Sequence, residues 1–377
     1  MNADEGGAAP VAVLAGGGTA GHVNPLLATA AELQGRGFRV VVLGTDQGLE
    51  RDLVPAEGLE LRTIEKVPMP RRLDAAAFAF PGKLRAAVAE SGRVIRGASV
   101  VVGFGGYVAA PAYVAARRQG VPVVIHEQNA RPGWANRLGA RWAAGVGLTF
   151  PGTPLSARSG ATRVVGMPLR RSIAEIAGVL SDPDSARRAR SEWAPTLGLI
   201  PDLPTLLVTG GSLGAQHLNE VLAEAASSMR GPIQVLHLTG KGKAEEAIAA
   251  SAASPADVNW QVREYLQEME RALACADLVV CRSGAGTVAE LSALGVPAVY
   301  VPLPVGNGEQ ALNAASVVAA GGALLVEDAA FTPEVVADVV LPLLRDPERL
   351  QAMGAAARSS SPGDGAKRLA DLIEEVP

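Results

Sequence analysis

The chain has 377 residues, 48% of them hydrophobic, and a formal net charge of −4 at pH 7. This length leaves room for two domains that each bury a core of their own. The weak negative charge excludes a general attraction to nucleic acid, so no nucleic-acid partner is expected.

The order of apolar and amphipathic segments predicts an α/β fold. Short apolar runs alternate with longer amphipathic segments, which is typical of βα units around parallel sheets. Buried strands are predicted in the first half at Val11–Ala15, Val40–Leu43, Val100–Val102 and Val121–Ile125. They are predicted in the second half at Thr205–Thr209, Ile233–Thr239, Leu278–Cys281 and Ala298–Val301. Helical patterns follow the strands, for example at Leu26–Gln34 and Val288–Leu294.

Both halves begin with a strand, a glycine-rich turn and a helix. Val11–Ala15 runs into Gly16–His22, and Thr205–Thr209 runs into Gly210–Gln216. Such a turn forms an anion site, because backbone N–H groups and the helix dipole point at one spot. One such site in each half predicts two doubly wound, Rossmann-like domains that face each other across a cleft.

We place the first domain at residues 1–166 and the second at residues 167–350. The segment Ser181–Asp202 is rich in Ala, Arg, Pro and Asp and predicts a linker with a peripheral helix. Leu350–Glu375 is helical by its pattern. A C-terminal helix at about 355–377 is expected to pack back on the first domain.

Three further loops follow predicted strands. Gly103–Tyr107 permits either close approach of the backbone to a ligand or tight packing. His126–Asn129 places four polar side chains after an apolar strand, which indicates a ligand site; a solvated loop is the alternative. Arg282–Glu290 runs from a strand into a helix, where Glu290 either complements the helix dipole or accepts hydrogen bonds from two ribose hydroxyls.

His22 is the candidate catalytic residue. It lies at the N-terminal end of a predicted helix, where the dipole disfavours protonation of the ring. A neutral imidazole there can act as a general base. His237, inside an apolar strand, and His217, behind the second glycine-rich turn, are predicted to be structural.

The sequence predicts neither a metal site nor a cofactor. No His, Cys, Asp or Glu residues have metal-ligand spacing. Asp182-Pro183-Asp184 has the Asp-x-Asp form of many sugar-nucleotide metal sites, but no apolar strand precedes it, and we predict a solvated turn. A nicotinamide-dinucleotide site at Gly16–Gly21 is an alternative, with Asp46 as a poorly matched acidic residue.

Taken together, these motifs resemble the MurG family, the peptidoglycan N-acetylglucosaminyltransferases of the two-Rossmann-domain (GT-B) class. The matching segments keep the family's order and are Gly17–His22, Gly103–Tyr107, His126–Ala130, Gly166–Arg170, Gly211–Gln216, Arg282–Glu290 and Gln310–Ala314. Two positions depart from the pattern: Met167 stands where the family usually has Asn, and Ala20 replaces a common Gly.

The resemblance implies an inverting hexosyltransferase. GlcNAc would move from UDP-GlcNAc to the 4-hydroxyl of MurNAc in undecaprenyl-pyrophosphoryl-MurNAc-pentapeptide during peptidoglycan synthesis. The first domain would bind the acceptor and the membrane, through Thr19, Ala20 and Gly21 on the acceptor side. The second domain would bind the UDP-sugar, and cell-wall synthesis proteins are possible partners. The implied donor contacts are Ser212 and Arg170 at the pyrophosphate, Glu290 at the ribose, Leu266 with Ala285, Gly286 and Thr287 at the uridine, Gln310 and Asn129 at the transferred sugar, and Val288 and Ala289 in the same helix.

We expect the protein on the cytoplasmic side of the cell membrane, bound peripherally to anionic lipid. No stretch reaches the roughly 18 uninterrupted apolar residues of a spanning helix. Met1–Pro10 lacks the pattern of a secretion signal. Cys275 and Cys281 lie in an apolar run and suit buried, reduced thiols.

The segment 66–85 is the predicted docking surface. It interleaves basic residues with apolar ones: Lys66, Arg71, Arg72, Leu73, Phe78, Phe80, Lys83, Leu84 and Arg85. The apolar side chains would enter the headgroup boundary while the cations stay at phosphate level. The alternative is a core helix with a solvated basic rim, since four apolar residues are at helical spacing: Leu73, Ala77, Phe80 and Leu84.

Two other functional classes remain open from the sequence. One is another UDP-sugar enzyme of the same fold, such as a natural-product glycosyltransferase or a UDP-GlcNAc 2-epimerase. The other is a nucleotide-sugar-binding module without turnover, against which the polar His126–Asn129 segment and His22 argue.

Overall fold

The structure, a computed structural model, describes residues 9–67, 75–211, 215–305 and 307–376, without the side chains of residues 75–77. It divides the chain into two compact units. The first unit comprises Met1–Arg170 and Asp364–Pro377, and the second comprises Arg171–Gly363. Each unit contains one parallel sheet with helices, so the predicted fold class is confirmed.

The first unit has a seven-stranded parallel sheet in the order β3-β2-β1-β4-β5-β6-β7. Its strands are β1 (Val11–Ala15), β2 (Arg39–Gly44), β3 (Glu60–Thr63), β4 (Val100–Gly103), β5 (Val123–Glu127), β6 (Gly145–Leu148) and β7 (Ala161–Val164). Its helices before residue 170 are α1 (Ala20–Gly35), α2 (Glu50–Ala56), α3 (Ala75–Ile95), α4 (Gly106–Gln119) and α5 (Trp134–Gly139).

Both faces of the first sheet are buried. Along β1, Val13 and Ala15 belong to one apolar cluster, whereas Ala12 and Leu14 belong to another. Because successive side chains of a strand point to opposite faces, these two clusters are the cores on the two sides of the sheet. This explains why β1 is an unbroken apolar run rather than an alternating one.

The second unit has a six-stranded parallel sheet in the order β10-β9-β8-β11-β12-β13. Its strands are β8 (Thr205–Thr209), β9 (Ile233–Leu238), β10 (Val258–Arg263), β11 (Leu278–Cys281), β12 (Ala298–Tyr300) and β13 (Ala323–Leu325). Its helices are α6 (Arg171–Leu180), α7 (Pro183–Thr196), α8 (Gln216–Glu224), α9 (Glu245–Ala253), α10 (Met269–Cys275), α11 (Ala285–Leu294), α12 (Glu309–Ala319), α13 (Pro333–Val335), α14 (Leu341–Leu344) and α15 (Pro347–Ser359). Short 3-10 turns lie at Ala225–Ser228 and Asp328–Ala330, and a π-helical turn lies at Val336–Val340.

The segment predicted as a linker with a helix is part of the second unit. It forms α7, whose N-cap is Asp182, with the Asp182 carboxylate accepting from the Ser185 N–H at 2.9 Å. Arg190 of α7 donates to both carboxylate oxygens of Asp277 at 2.8 Å. The helix is therefore fixed to the start of β11, and the linker part of the prediction is wrong.

The last helix of the chain, α16 (Gly365–Glu374), packs on the first unit. Its Leu369 and Leu372 are buried in the same cluster as the inner face of α1. The side chain of Leu372 fits there because Gly145 of β6 has no Cβ; a Cβ at Gly145 would lie 3.3 Å from Leu372 Cγ. At the rim, Arg36 pairs with Asp371 at 2.7 Å.

No helix in the ranges that the structure describes combines the length and the apolarity needed to cross a bilayer.

Truncation of Leu369 should weaken the first unit. Leu369 is 0% exposed, so Leu369→Ala should cost about 2–5 kcal/mol of unfolding free energy through lost burial and a residual cavity. Native-state hydrogen exchange of the β1 and β6 amides measures this in the first unit. Leu312→Ala, at a position 48% exposed in α12, is the control and should change exchange by less than about 0.5 kcal/mol. Unchanged protection of β1 in Leu369→Ala would contradict the packing described.

Candidate functional site

The strand order reverses between β1 and β4 in the first unit and between β8 and β11 in the second. In open parallel sheets, ligands bind at the carboxyl ends of the strands beside such a reversal. The loops that the sequence singled out follow β1, β4 and β5 in one unit and β8, β11 and β12 in the other.

In the first unit, the loop after β1 leads into the N-terminus of α1. Gly18 has φ +90°, which favours glycine, and Thr19 is the extended N-cap of the helix. Thr19, Ala20 and Gly21 are all exposed. The first amides of a helix have no intrahelical acceptor, so this turn can present N–H groups to an anionic or hydroxyl-bearing ligand.

The His22 ring lies against this loop and the loop after β4. Its Nδ1 is 3.2 Å from Thr19 Oγ1. A Cβ at Gly105, where φ is +85°, would lie 3.4 Å from His22 Nε2, so the glycine permits the backbone to reach the ring. Burial lowers the pKa of His22, while a backbone hydrogen bond with Gly17 and the charge of Glu50 act in the opposite direction. The net shift keeps the imidazole neutral near pH 7, as general-base chemistry requires.

Glu50, the first residue of α2, is a buried carboxylate that the sequence did not reveal as part of this region. Its Oε2 accepts from Gly18 N–H at 2.8 Å, and its Oε1 accepts from Thr45 N–H at 2.9 Å and Thr45 Oγ1 at 2.7 Å. Burial raises the pKa of Glu50, but the hydrogen bonds from Gly18 and Thr45 outweigh it and the pKa is lowered. The group is therefore an ionised support beneath the loop. Gly44 and Gly48 flank it in the sequence, but two glycines at this spacing do not by themselves identify a buried carboxylate.

The polar segment His126–Asn129, which begins with the last two residues of β5, is mostly buried. His126, Glu127 and Gln128 are 0–2% exposed, and only Asn129 and Ala130 are half-buried. His126 Nε2 is 3.0 Å from the Gly166 carbonyl oxygen. The alternative of a solvated loop is therefore wrong. Of the four polar side chains, Asn129 is the one in a position to meet a ligand.

The Glu127 carboxylate holds the backbone that presents Asn129. Its Oε1 accepts from Asn129 N–H at 3.0 Å, and its Oε2 accepts from Gly133 N–H at 3.1 Å and Asn136 Nδ2 at 2.9 Å. The Tyr113 hydroxyl in turn donates to Asn136 Oδ1 at 2.7 Å. Glu127 is thus committed to structure rather than to proton transfer with a substrate.

In the second unit, the turn after β8 begins with Gly210 and Gly211, and Gly211 has φ +79°. The Gly211 N–H donates to Thr209 Oγ1 at 3.2 Å. Ser212, expected at the pyrophosphate, lies outside the described residues, as do Leu213 and Gly214.

The expected donor helix is α11, which starts after the extended N-cap Gly284. The residues of α11 that were expected at the donor differ in solvent exposure. Ala285, Val288 and Ala289 are buried in the second unit, so their side chains pack in its core. Gly286, Thr287 and Glu290 are half-buried and are the members of this group that can meet a ligand.

Gln310 lies in the first turn of α12, and its Oε1 accepts from Leu303 N–H at 2.9 Å. The amide nitrogen is thus the end of Gln310 that can donate to a sugar. Leu266 is half-buried in the loop between β10 and α10. Arg170 is the last residue of the first unit and is half-buried.

Arg282 connects loops of the second unit through its side chain. The sequence assigned it no role of its own within the segment Arg282–Glu290. Its guanidinium donates to the Val301 carbonyl at 3.0 Å and pairs with the Asp328 carboxylate. His217 contributes to the same cluster, with Nε2 2.9 Å from the Asp328 carbonyl oxygen. The cluster ties the start of α11 to the loop after β12.

Within the described residues, no group of three or more His, Cys, Asp or Glu side chains is arranged to hold a metal ion. Asp184 pairs with Arg187, and Asp182 caps α7. Cys275 and Cys281 are buried and not disulfide-bonded; burial raises the pKa of both thiols.

The proposed docking surface divides into buried and exposed parts. Phe80 and Leu84 pack against the core of the first unit, so the alternative of core positions is right for these two. Phe78 is 85% exposed. Lys83 pairs with Glu65 at 2.7 Å. Arg71, Arg72 and Leu73 lie outside the described residues.

Two family models match the chain. Residues 12–148 match the glycosyltransferase family 28 N-terminal domain, and residues 205–373 match the glycosyltransferase family 28 C-terminal domain.

Relatives of known name match over nearly the whole length. The chain is 55% identical over 372 residues to the UDP-N-acetylglucosamine–N-acetylmuramyl-(pentapeptide) pyrophosphoryl-undecaprenol N-acetylglucosamine transferase of Clavibacter michiganensis subsp. michiganensis, covering 97% of this chain and 96% of the relative. The crystal structure of Acinetobacter baumannii MurG matches with a TM-score of 0.78 and 32% identity, over 97% of this chain and 99% of that one. A UDP-GlcNAc 2-epimerase from Neisseria meningitidis has a TM-score of 0.67 at 14% identity, over 97% of this chain and 99% of that one, which shows a shared fold alone.

The buried His126 should make the first unit sensitive to acid. Burial lowers the pKa of His126 to about 4, with the Gly166 carbonyl acting in the opposite direction. The unfolded chain, with a pKa near 6.5, binds more protons in this window, so stability is present above pH 6.5 and falls as pH drops toward 4. His126→Gln should remove about 3 kcal/mol of that fall, measured by hydrogen exchange of β1 and β5 amides from pH 7 to 4. Parallel pH dependence in both proteins would contradict the burial of a neutral ring.

Proposed function

The chain belongs to glycosyltransferase family 28, and we propose from this that it transfers GlcNAc from UDP-GlcNAc to the 4-hydroxyl of MurNAc in undecaprenyl-pyrophosphoryl-MurNAc-pentapeptide. The protein is a UDP-GlcNAc-dependent glycosyltransferase of peptidoglycan synthesis, and the resemblance to the MurG family is confirmed. The observation that carries the proposal is the 55% identity, across nearly the full length, to an enzyme whose name states this donor and acceptor.

Inversion in one displacement requires one base and a stabilised leaving group. The acceptor hydroxyl loses its proton as it attacks the anomeric carbon, and UDP departs with the bonding electrons. His22 is our candidate for the base. Two observations support this assignment: the ring contacts Thr19 Oγ1, and burial lowers the pKa of His22 so that the ring is neutral. Thr19, Ala20 and Gly21, exposed at the N-terminus of α1, would bind the acceptor beside it.

On the donor side, we assign Glu290 to the ribose and Gln310 to the transferred sugar. The half-buried Glu290 carboxylate can accept from two adjacent hydroxyls, and the Gln310 amide can donate to the sugar. The uridine would lie near Leu266, Gly286 and Thr287. Negative charge that develops on the diphosphate would meet the N-terminus of α8, Ser212 and the Arg170 guanidinium, whose charge suits a diphosphate. Asn129 would complete the sugar contacts from the first unit.

The other classes considered from the sequence have weaker support. The epimerase shares the fold, but at 14% identity this similarity does not indicate a shared activity. Family membership favours an enzyme over a binding module without turnover. It also argues against the nicotinamide-dinucleotide site with Asp46.

Removal of the His22 imidazole tests the proposed base. His22→Ala should lower kcat by roughly 10²–10⁴-fold, because base catalysis acts in the transition state, and leave UDP-GlcNAc affinity within about twofold. The assay is transfer of labelled GlcNAc to a short-chain lipid acceptor, with UDP release measured in parallel. Ile248→Ala, at a position 55% exposed in α9 and outside the proposed sites, is the control. Near-normal kcat in a folded His22→Ala protein would remove His22 from the mechanism.

Membrane attachment is a separate part of the proposal. The acceptor carries a polyprenyl tail, so we expect the first unit to dock on the cytoplasmic membrane surface. The support is Phe78, a large apolar side chain that is 85% exposed, and the exposed Arg85 on the same helix, α3. Aromatic rings enter the headgroup boundary, and each basic residue near an anionic surface contributes about 1 kcal/mol. Lys83 is expected to contribute less because Glu65 neutralises it.

Replacing Phe78 and the flanking cations should abolish docking. The variant Phe78→Ser with Arg71, Arg72 and Arg85→Gln should no longer sediment with phosphatidylserine-containing vesicles, while turnover of a soluble acceptor analogue stays within about twofold. Ile248→Ser, at a position 55% exposed in the second unit, is the control for loss of an exposed apolar side chain. Unaltered sedimentation of the quadruple variant would place docking elsewhere.

A further inference from the structure

Glu50 is a charged group without solvent exposure that the proposed reaction does not use. Burying a carboxylate is costly unless it is fully hydrogen-bonded, so its retention in the first unit needs a physical reason. It lies beneath the loop that carries the proposed acceptor residues.

The hydrogen bonds of Glu50 reach His22 through a single peptide group. Glu50 Oε2 accepts from the Gly18 N–H at 2.8 Å. The carbonyl of the same peptide group belongs to Gly17. Its oxygen and His22 Nδ1 lie on the same side of Gly106, at 3.0 and 3.6 Å from a Cβ placed there, and the Gly17 backbone acts to raise the pKa of the ring. Thr19, the next residue, places its Oγ1 3.2 Å from His22 Nδ1. Both loop contacts of the ring therefore come from the residues on either side of Gly18.

The loop is shaped around this carboxylate. A Cβ at Gly17 would lie 2.3 Å from Glu50 Oε1, one at Gly44 would lie 2.6 Å from Glu50 Cγ, and one at Gly48 would lie 2.1 Å from Glu50 Oε2. On the other side of the same peptide, a Cβ at Gly106 would lie 3.0 Å from the Gly17 carbonyl oxygen. The Gly17–Gly18 peptide is thus confined between the carboxylate and the loop after β4.

We propose that Glu50 is a positioning residue for His22, acting through the Gly17–Gly18 peptide group. This inference rests on the proposed role of His22 as the base. Hydrogen bonds in series polarise one another, so a carboxylate on the N–H strengthens the carbonyl as an acceptor. A ring held through one nitrogen keeps a defined tautomer, with the other nitrogen available to take the proton of the acceptor hydroxyl.

Glu50→Gln is the first test, because it keeps the side-chain shape. Its single amide oxygen can satisfy Thr45, which leaves an NH₂ group facing the Gly18 N–H. We expect kcat to fall roughly 10–100-fold with UDP-GlcNAc affinity unchanged. Glu57→Gln, the same substitution at an exposed position just after α2, is the matched control and should behave as wild type. In Gly48→Ala the new Cβ would lie 2.1 Å from Glu50 Oε2, the oxygen that accepts from Gly18 N–H, so this variant should displace that oxygen and reproduce the loss of kcat.

Two further measurements separate positioning from a general loss of structure. In a His22→Ala background, Glu50→Gln should change the residual rate by less than about threefold, because residues that act as one unit are not additive. The ¹⁵N resonances of the His22 ring, assigned by their absence in His22→Ala, should shift toward a mixture of tautomers in Glu50→Gln and in Gly48→Ala.

Ring resonances that are the same as wild type in both variants would overturn the inference, and so would rate losses that multiply in the double variant. A His22→Ala protein with normal kcat would instead overturn the proposed base. In that case the ring resonances alone decide whether Glu50 positions His22.

Discussion

Side chains on both faces of β1 and of β8 are buried, so the backbone of these strands can satisfy its hydrogen bonds only within the sheet. Polar chemistry is then confined to the strand ends. At the carboxyl end of β1 the chain turns at once into α1, and Gly18 adopts the left-handed conformation that this turn requires. The amides that we propose bind the substrate, and the proposed base, lie at this strand end because the rest of the strand is buried.

The core strands were predictable because they are continuous apolar runs. All eight predicted strands are present, β1, β8 and β11 with the predicted bounds. The five strands that were not predicted are β3, β6, β7, β10 and β13. β7 is an exposed edge strand and β13 has three residues, so neither carries a strong apolar signal. β6 reads Gly-Val-Gly-Leu, and its glycines make sense only once α16 is seen to pack on them.

The exposed turns of the candidate site were predictable from the sequence, but the buried side chains beneath them were not. Glycine-rich turns and helix starts are local patterns, so the turn at Thr19 and the start of the helix that carries Glu290 could be predicted from the sequence. The burial of His126 could not, because its partner Gly166 is 40 residues away. Glu50 was missed for the same reason: it accepts a hydrogen bond from Gly18, 32 residues away, and nothing in its own neighbourhood distinguishes it from a surface glutamate.

The placement of α16 has a consequence for biosynthesis. The first unit needs residues 364–377 to cover the face formed by α1 and β6, yet the whole second unit is translated before them. At about 5–20 residues per second, the roughly 190 intervening residues take about 10–40 s to make. During that interval the nascent chain carries an uncovered apolar face at β6, and transiently exposed apolar surface favours aggregation. The first unit is therefore synthesised first, but its core is complete only after α16 has been translated.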